Sequence, residues 1–209
     1  MKAGHETTRR GRPRDPERVR RVLEAAAQQF TQLGFDRTSV ESVALASGVS
    51  KMTVYSYFPS KEALFDACIE DRCSGLFDLF LNAELDPRDP HAALLRVATL
   101  FLALMRDDEV LAMHRMMYGS GGVHPEVCRA FWDQGPQHCI DHLASYLAAT
   151  DAAGTLRIPD FHRAADQFLS MFLGGSHIHC LLGLGKPDPA EDIRMLKANL
   201  ELFLRAYAA

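Results

Sequence analysis

TSVESVALASGVSKMTVYSYF, residues 38–58, is the stretch that decides how the rest of the chain is read. Thr38 with Glu41 three residues on is a capping-box pattern, so a helix opens there. Val40, Val43 and Ala44 give that helix an inward face. Ala44 is small where two helices must cross closely, and Gly48, four residues later, supplies the left-handed backbone a tight turn needs. Ser50 is placed to cap the following helix, and Val54 and Phe58 return to the core. A small residue, a glycine four on and an aliphatic six further is the steric pattern of a helix-turn-helix. Ser50, Lys51, Met52, Thr53, Tyr55, Ser56 and Tyr57 are left facing outward. Lysine and hydroxyls suit phosphates or base edges, and a methionine suits a thymine methyl. Pro59 ends the helix. Ser60 then caps a fourth, with Lys61 at its start beside free backbone N–H groups, a further phosphate-binding site.

The segment before this stretch is basic. KAGHETTRRGRPRDPE, residues 2–17, has little apolar content and an extended RRGRPR core. Pro13 holds the chain extended and Arg12 and Arg14 project from it. Such an arm fits the narrow minor groove, or it is a solvated tail that adds nonspecific attraction. Asp15 and Pro16 then mark a helix start. Val19, Leu23, Ala26, Phe30 and Leu33 form one apolar stripe at three- and four-residue steps, and Gly34 stops the helix.

FDRTSVESVALASGVSKMTVYSYFPSKEALFDA, residues 35–67, resembles the DNA-binding domain of TetR-family transcriptional regulators. The resemblance runs through the T-S-V opening, the A-x-x-x-G-V turn, the Val54–Tyr55 pair and the F-x-S-K-E-x-L exit from Phe58 to Leu64. It implies a DNA-binding domain over 16–76, with its helix-turn-helix at 39–58, after a flexible arm over 1–15. A helical effector-binding and dimerisation domain over 77–209 follows. It also implies phosphate contacts from Ser39 and Ser50, recognition-helix contacts from Lys51, Thr53, Tyr55 and Tyr57, and a phosphate clamp at Lys61. Met52 stands where the family commonly has small or polar residues. The fourth helix, about Ser60 to Leu81, is the family's route from effector to DNA-binding head.

Charge divides the chain at the same place. Residues 1–61 hold eleven Lys/Arg against six Asp/Glu, and residues 62–209 hold twelve against twenty-one. A positive head on a negative body points to a polyanion at the head only. Five cysteines without a CxxC pair fit reduced thiols in the cytoplasm. No signal peptide is visible, and the longest apolar stretch, 168–184, is too short and too polar for a membrane span. No G-x-S-x-G, P-loop or dinucleotide fingerprint is present, so nothing indicates an enzyme.

Beyond the Asp86–Pro90 loop the pattern is helical throughout. Helices are expected over 91–106, 109–118, 125–149, 160–184 and 189–208, with a flexible link at Gly119–Gly122. Phe168, Met171, Gly175, Ile178 and Leu182 step by three and four, as do Ile193, Leu196, Leu200 and Phe203. Two such stripes suit a four-helix bundle across a two-fold axis, with Gly174–Gly175 allowing close approach, or an intramolecular hairpin. Phe101, Met105, Met113, Met117, Trp132, Phe172 and His177 are flexible or aromatic groups on different helices, and they frame either a ligand pocket or an ordinary core. His138, Cys139 and His142, and separately His177, His179 and Cys180, are the candidates for a metal.

Together these readings predict an all-α chain: an N-terminal three-helix helix-turn-helix domain joined to a C-terminal helical ligand-binding and dimerisation domain. The function expected is a ligand-responsive repressor, binding a palindromic operator in double-stranded DNA as a homodimer. A hydrophobic or aromatic small molecule is the expected effector, with no cofactor, no metal and no membrane. The alternatives are a metal-responsive regulator using the His/Cys groups, or a metal-dependent enzyme.

Overall fold

The computed structural model describes residues 15–81, 85–120 and 123–209, with residues 72–81 and 120 described by their backbone alone. Arg12 and Arg14 of the basic arm, and the Gly121–Gly122 step of the expected link, lie outside the described residues.

Helix α1 (Pro16–Arg37) starts where Asp15 and Pro16 indicate, with the Asp15 carboxylate accepting from the Glu17 N–H. Gly34 breaks it at φ 81°, a left-handed backbone that favours glycine, and one further turn, Phe35–Arg37, follows. That turn buries Phe35 against Phe30 and Phe65, the latter edge-on at 5.5 Å between centroids. The stripe needs one correction: Leu33 is exposed, and Val22 takes a core position.

Helices α2 (Val40–Ser47) and α3 (Lys51–Tyr57) form the expected pair, with Gly48 left-handed at φ 65° between them. The cap of α2 differs from the sequence reading. Ser39, not Thr38, is the N-cap, and its box partner is Ser42, not Glu41. Thr38 turns its hydroxyl inward to the Gly34 carbonyl at 2.8 Å. Helix α4 (Lys61–Leu81) opens with Ser60 accepting from the Ala63 N–H. Val22, Phe30, Val43, Val54, Leu64 and Phe65 form the centre of this head.

The remaining helices are α5 (Pro90–Met105), α6 (Asp108–Ser120), α7 (Pro125–Gln134), α8 (Pro136–Ala152), α9 (Phe161–Ser170), α10 (Gly175–Leu181) and α11 (Pro189–Ala206). Two helices expected as single rods are each split. Pro136 lacks an N–H and its ring blocks the preceding turn, so 125–149 divides at Gly135–Pro136. Gly174 and Gly175, expected to let helices approach, break 160–184 instead, because glycine in a helix interior is costly. Gly119, expected in a link, closes the last turn of α6.

The body has its own core, built around Leu94, Phe101, Leu147, Phe168, Phe172 and Leu200. The two cores are joined through α6 and α7, whose Met117 and Val127 belong to the head's cluster. Among the described residues there is one isolated bridge, Leu156 with Ala208, and no helix long and apolar enough to cross a membrane. The chain is all-α, a helix-turn-helix head on a helical body.

Candidate nucleic-acid interface

The outward face of α3 follows from its anchoring. Val54 is fully buried and Phe58 nearly so, which fixes the roll of a seven-residue helix. Ser50 caps it, accepting from the Thr53 N–H at 3.3 Å, and the two hydroxyls pair at 2.8 Å. Lys51, Met52, Tyr55 and Ser56 are then exposed, Met52 by 83%. Thr53 and Tyr57 are half-buried.

Each predicted contact has a definite setting. Ser39 is exposed at the start of α2, its hydroxyl held by Ser42. Tyr57 accepts a long hydrogen bond, 3.4 Å, from the Asp15 N–H. That places the exit of the basic arm beside the C-terminal end of α3. Lys61 is turned inward: its ammonium donates to the Phe35 carbonyl at 2.9 Å and stands 4.2 Å from the Phe35 ring centroid. It braces the extra turn of α1, and a phosphate contact would require that hydrogen bond to open.

Glu41 is the group the sequence reading misplaced. Its carboxylate is 2.5 Å from the Lys51 ammonium, which also lies 5.8 Å from the Tyr55 ring centroid. Hydrogen bonding to Lys51 holds the Glu41 carboxyl low, and Glu41 pushes the Lys51 ammonium up. Nothing in the local sequence signals a pair ten positions apart. The α2–α3 turn creates it.

The predicted pocket residues are divided between the two cores and the surface. Phe101, Met105 and Phe172 are packed into the body core, while Met117 and Met113 belong to the head's cluster. Trp132 is 48% exposed, its indole N–H donating to Gln137 at 3.2 Å, so it faces outward from α7. Apolar spacing marks a side chain as packable and does not say against what. A cavity of about 440 Å³ lies between α1, α4 and α6, lined by Phe30, Phe65, Ile69, Met113 and Met116 with Gln28 and Glu24. Of the predicted pocket residues Met113 alone borders it.

Helix α6 connects the head to α10. Met113 and Met116 pack on the head's cluster, which Met117 joins. His114 Nδ1 stands 3.4 Å from Nε2 of the buried His177 on α10. Arg115 donates to the Leu181 and Cys180 carbonyls at the end of α10, at 2.7 and 2.8 Å. Burial, then the neighbouring His177, pushes His114 down to about 4, and burial lowers His177 as well.

The predicted dimer stripes split in two. Phe168, Leu196, Leu200 and Phe203 are buried in the protomer's own core, which removes them from any outer surface. Met171 is half-buried there too, and Asn199 donates to its carbonyl. Gly175, Ile178, Leu182 and Ile193 are exposed, as are Leu184 and Leu202, although Ile193 and Leu202 lie on opposite sides of α11. His138, Cys139 and His142 lie on α8, and His177, His179 and Cys180 on α10. Among the described residues no group of three or more His, Cys, Asp or Glu is placed to hold a metal ion.

Comparison with known proteins bears on both halves. Residues 22–68 match the family described as bacterial regulatory proteins, tetR family. Residues 92–209 match the AefR-like transcriptional repressor C-terminal domain. The chain is 32% identical over 181 residues to the HTH-type transcriptional regulatory protein RaaS of Mycobacterium tuberculosis, covering 83% of this chain and 74% of that one. Among solved structures it is similar to the flavonoid-responsive regulator FrrA, with 33% identity, a TM-score of 0.77 and 93% and 98% of the two chains covered. A TetR-family regulator from Mesorhizobium loti gives 25% identity and a TM-score of 0.77, over 95% and 100% of the chains.

Proposed function

Because the chain belongs to the TetR family of DNA-binding transcriptional regulators, we propose that it is a ligand-responsive repressor acting as a homodimer on a near-palindromic operator. The observation that carries this is the outward face of α3, where Lys51, Met52 and Tyr55 stand exposed over a fully buried Val54. Two such faces, one per protomer, would enter successive major grooves about 34–36 Å apart. Ser39, Ser50, Lys51, Thr53, Tyr55 and Tyr57 supply the contacts, with Arg12 and Arg14 of the arm reaching the adjacent minor groove and Lys61 serving as a brace. The functional units are a DNA-binding head over 16–76 and a regulatory body over 77–209.

The second protomer docks on exposed apolar side chains around α10 and on the outer side of α11, with Ile178, Leu182, Leu184 and Leu202 as its contacts. This replaces the buried half of the predicted stripe. FrrA is named as flavonoid-responsive, which favours a hydrophobic or aromatic effector for this chain also. Helix α6 is suited to carry its effect, since it touches the head through Met113, Met116 and Met117 and α10 through His114 and Arg115. An effector shifts the heads only by its differential affinity for the two arrangements.

The test is selection of bound fragments from the source genome, followed by a screen of small aromatic compounds for release. Selection of one inverted-repeat sequence supports the proposal. Binding that never exceeds that to random duplex defeats it.

A further inference from the structure

Lys51 and Glu41 present a problem of charge. Both are half exposed on the face that carries Met52 and Tyr55. A carboxylate on a surface that meets a polyanion repels it, and here it sits 2.5 Å from the one cation of the recognition helix. As a brace between α2 and α3 it contributes little, because exposed ion pairs add almost nothing to stability. The two helices are already joined by a buried seam of Val43, Ala44, Val49 and Val54.

We propose that Glu41 is a specificity-determining residue that holds Lys51 away from the phosphate backbone and presents it to base edges. The proposal rests on the DNA-binding reading above. In the protein alone, Glu41 occupies the place a phosphate would take on Lys51. A random duplex then gains a Lys51–phosphate contact only by breaking the pair, and that contact contributes no net counterion release. At the operator, Lys51 keeps Glu41 on one side and gives its other N–H groups to an acceptor such as guanine O6 or N7. The Tyr55 ring beside the ammonium closes off a further direction. Lys51 thus strengthens the right site while leaving background binding weak, which widens the ratio between the two.

The experiment compares wild type, Glu41→Gln, Lys51→Ala and the double variant over a salt series. Each is titrated with a random-sequence duplex of about three helical turns and with a fragment of equal length selected by the wild-type protein. Glu41→Gln is expected to bind the random duplex several-fold more tightly, with a salt slope steeper by about one, near the ~0.9 per neutralised phosphate. The selected fragment gains less, so the specificity ratio falls. In the Lys51→Ala background the same Glu41→Gln change should have under a twofold effect. Unchanged random-duplex affinity and slope on Glu41→Gln, or an equal shift in both backgrounds, overturns the proposal, the second because it shows bulk repulsion. Glu41→Ala repeats the measurement with a different side chain, and unaltered thermal melts confirm that each variant is folded. Wild-type protein that binds neither duplex at low salt refutes the DNA-binding reading itself, a result distinct from the others.

Discussion

His124 Nε2 lies 2.6 Å from the Asp36 carboxylate, joining the first residue before α7 to the extra turn of α1. The His124 ring also stands 4.9 Å from Phe35. The body therefore grips the segment that leads directly into the helix-turn-helix. Asp36→Asn and His124→Ala should each cost less than about 1 kcal/mol in urea melts, as a half-exposed pair does. Their double variant should be non-additive, and amide exchange at Phe35–Arg37 should accelerate in both. Additive effects with unchanged exchange would show the contact to be energetically idle.

Tyr55 has its ring on the exposed face of α3 beside Lys51. Tyr55→Ala should weaken operator binding by about 1–3 kcal/mol, the scale of one lost base contact, and leave random-duplex binding within twofold. Equal losses on both duplexes would place Tyr55 outside the reading surface.

Arg106, at the end of α5, makes a two-point pair with Asp192 of α11, both bonds 2.9 Å, with its guanidinium nearly covered. Asp192→Ala strands that cation, which should cost about 3–5 kcal/mol of stability. Denaturation midpoints would measure it. A loss below about 1 kcal/mol would mean the arginine escapes to solvent.

His114 is held down to about 4 by burial first and by His177 second. A histidine that resists its proton in the folded state makes the unfolded chain the better proton binder between its folded pKa and the ordinary value. Stability is thus fully present above about 6.5 and is lost as pH falls toward 4, by on the order of 3 kcal/mol. His177 acts in the same direction. Urea melts at pH 7 and pH 5 should differ less in His114→Phe than in wild type. An unchanged pH difference would assign the effect elsewhere.

Leu202 and Leu200 lie two residues apart on α11, one 63% exposed and the other buried. Leu202→Glu should yield folded monomers by sedimentation, with weakened operator binding. Leu200→Ala should lower stability by about 2–5 kcal/mol and leave the assembly state alone. A dimeric Leu202→Glu would move the interface elsewhere.

The head was legible because its signals are local. Asp15, Gly48, Ser50 and Pro59 each act within one turn of the backbone, so their effects can be read in order along the chain. The α2 cap was misassigned by one residue because Thr38, Ser39 and Ser42 all carry hydroxyls. The inward turn of Thr38 depends on the Gly34 carbonyl. The body was legible only as helix. Its apolar spacing gave Leu196, Leu200 and Phe203 a face, and that face belongs to the protomer's own core.

What the sequence determined by itself was the all-α fold, the helix-turn-helix and most of its outward side chains, Thr53 and Tyr57 being half-buried, because periodicity, caps and glycine placement act over a few residues. The tertiary structure alone decided which apolar faces meet inside the protomer and which remain outside. It alone brought Glu41 to Lys51, His124 to Asp36 and Arg106 to Asp192. Those pairs span ten to eighty-eight positions, and no local preference of the chain encodes them. They arise when packed helices fix the distance between side chains that the sequence leaves far apart.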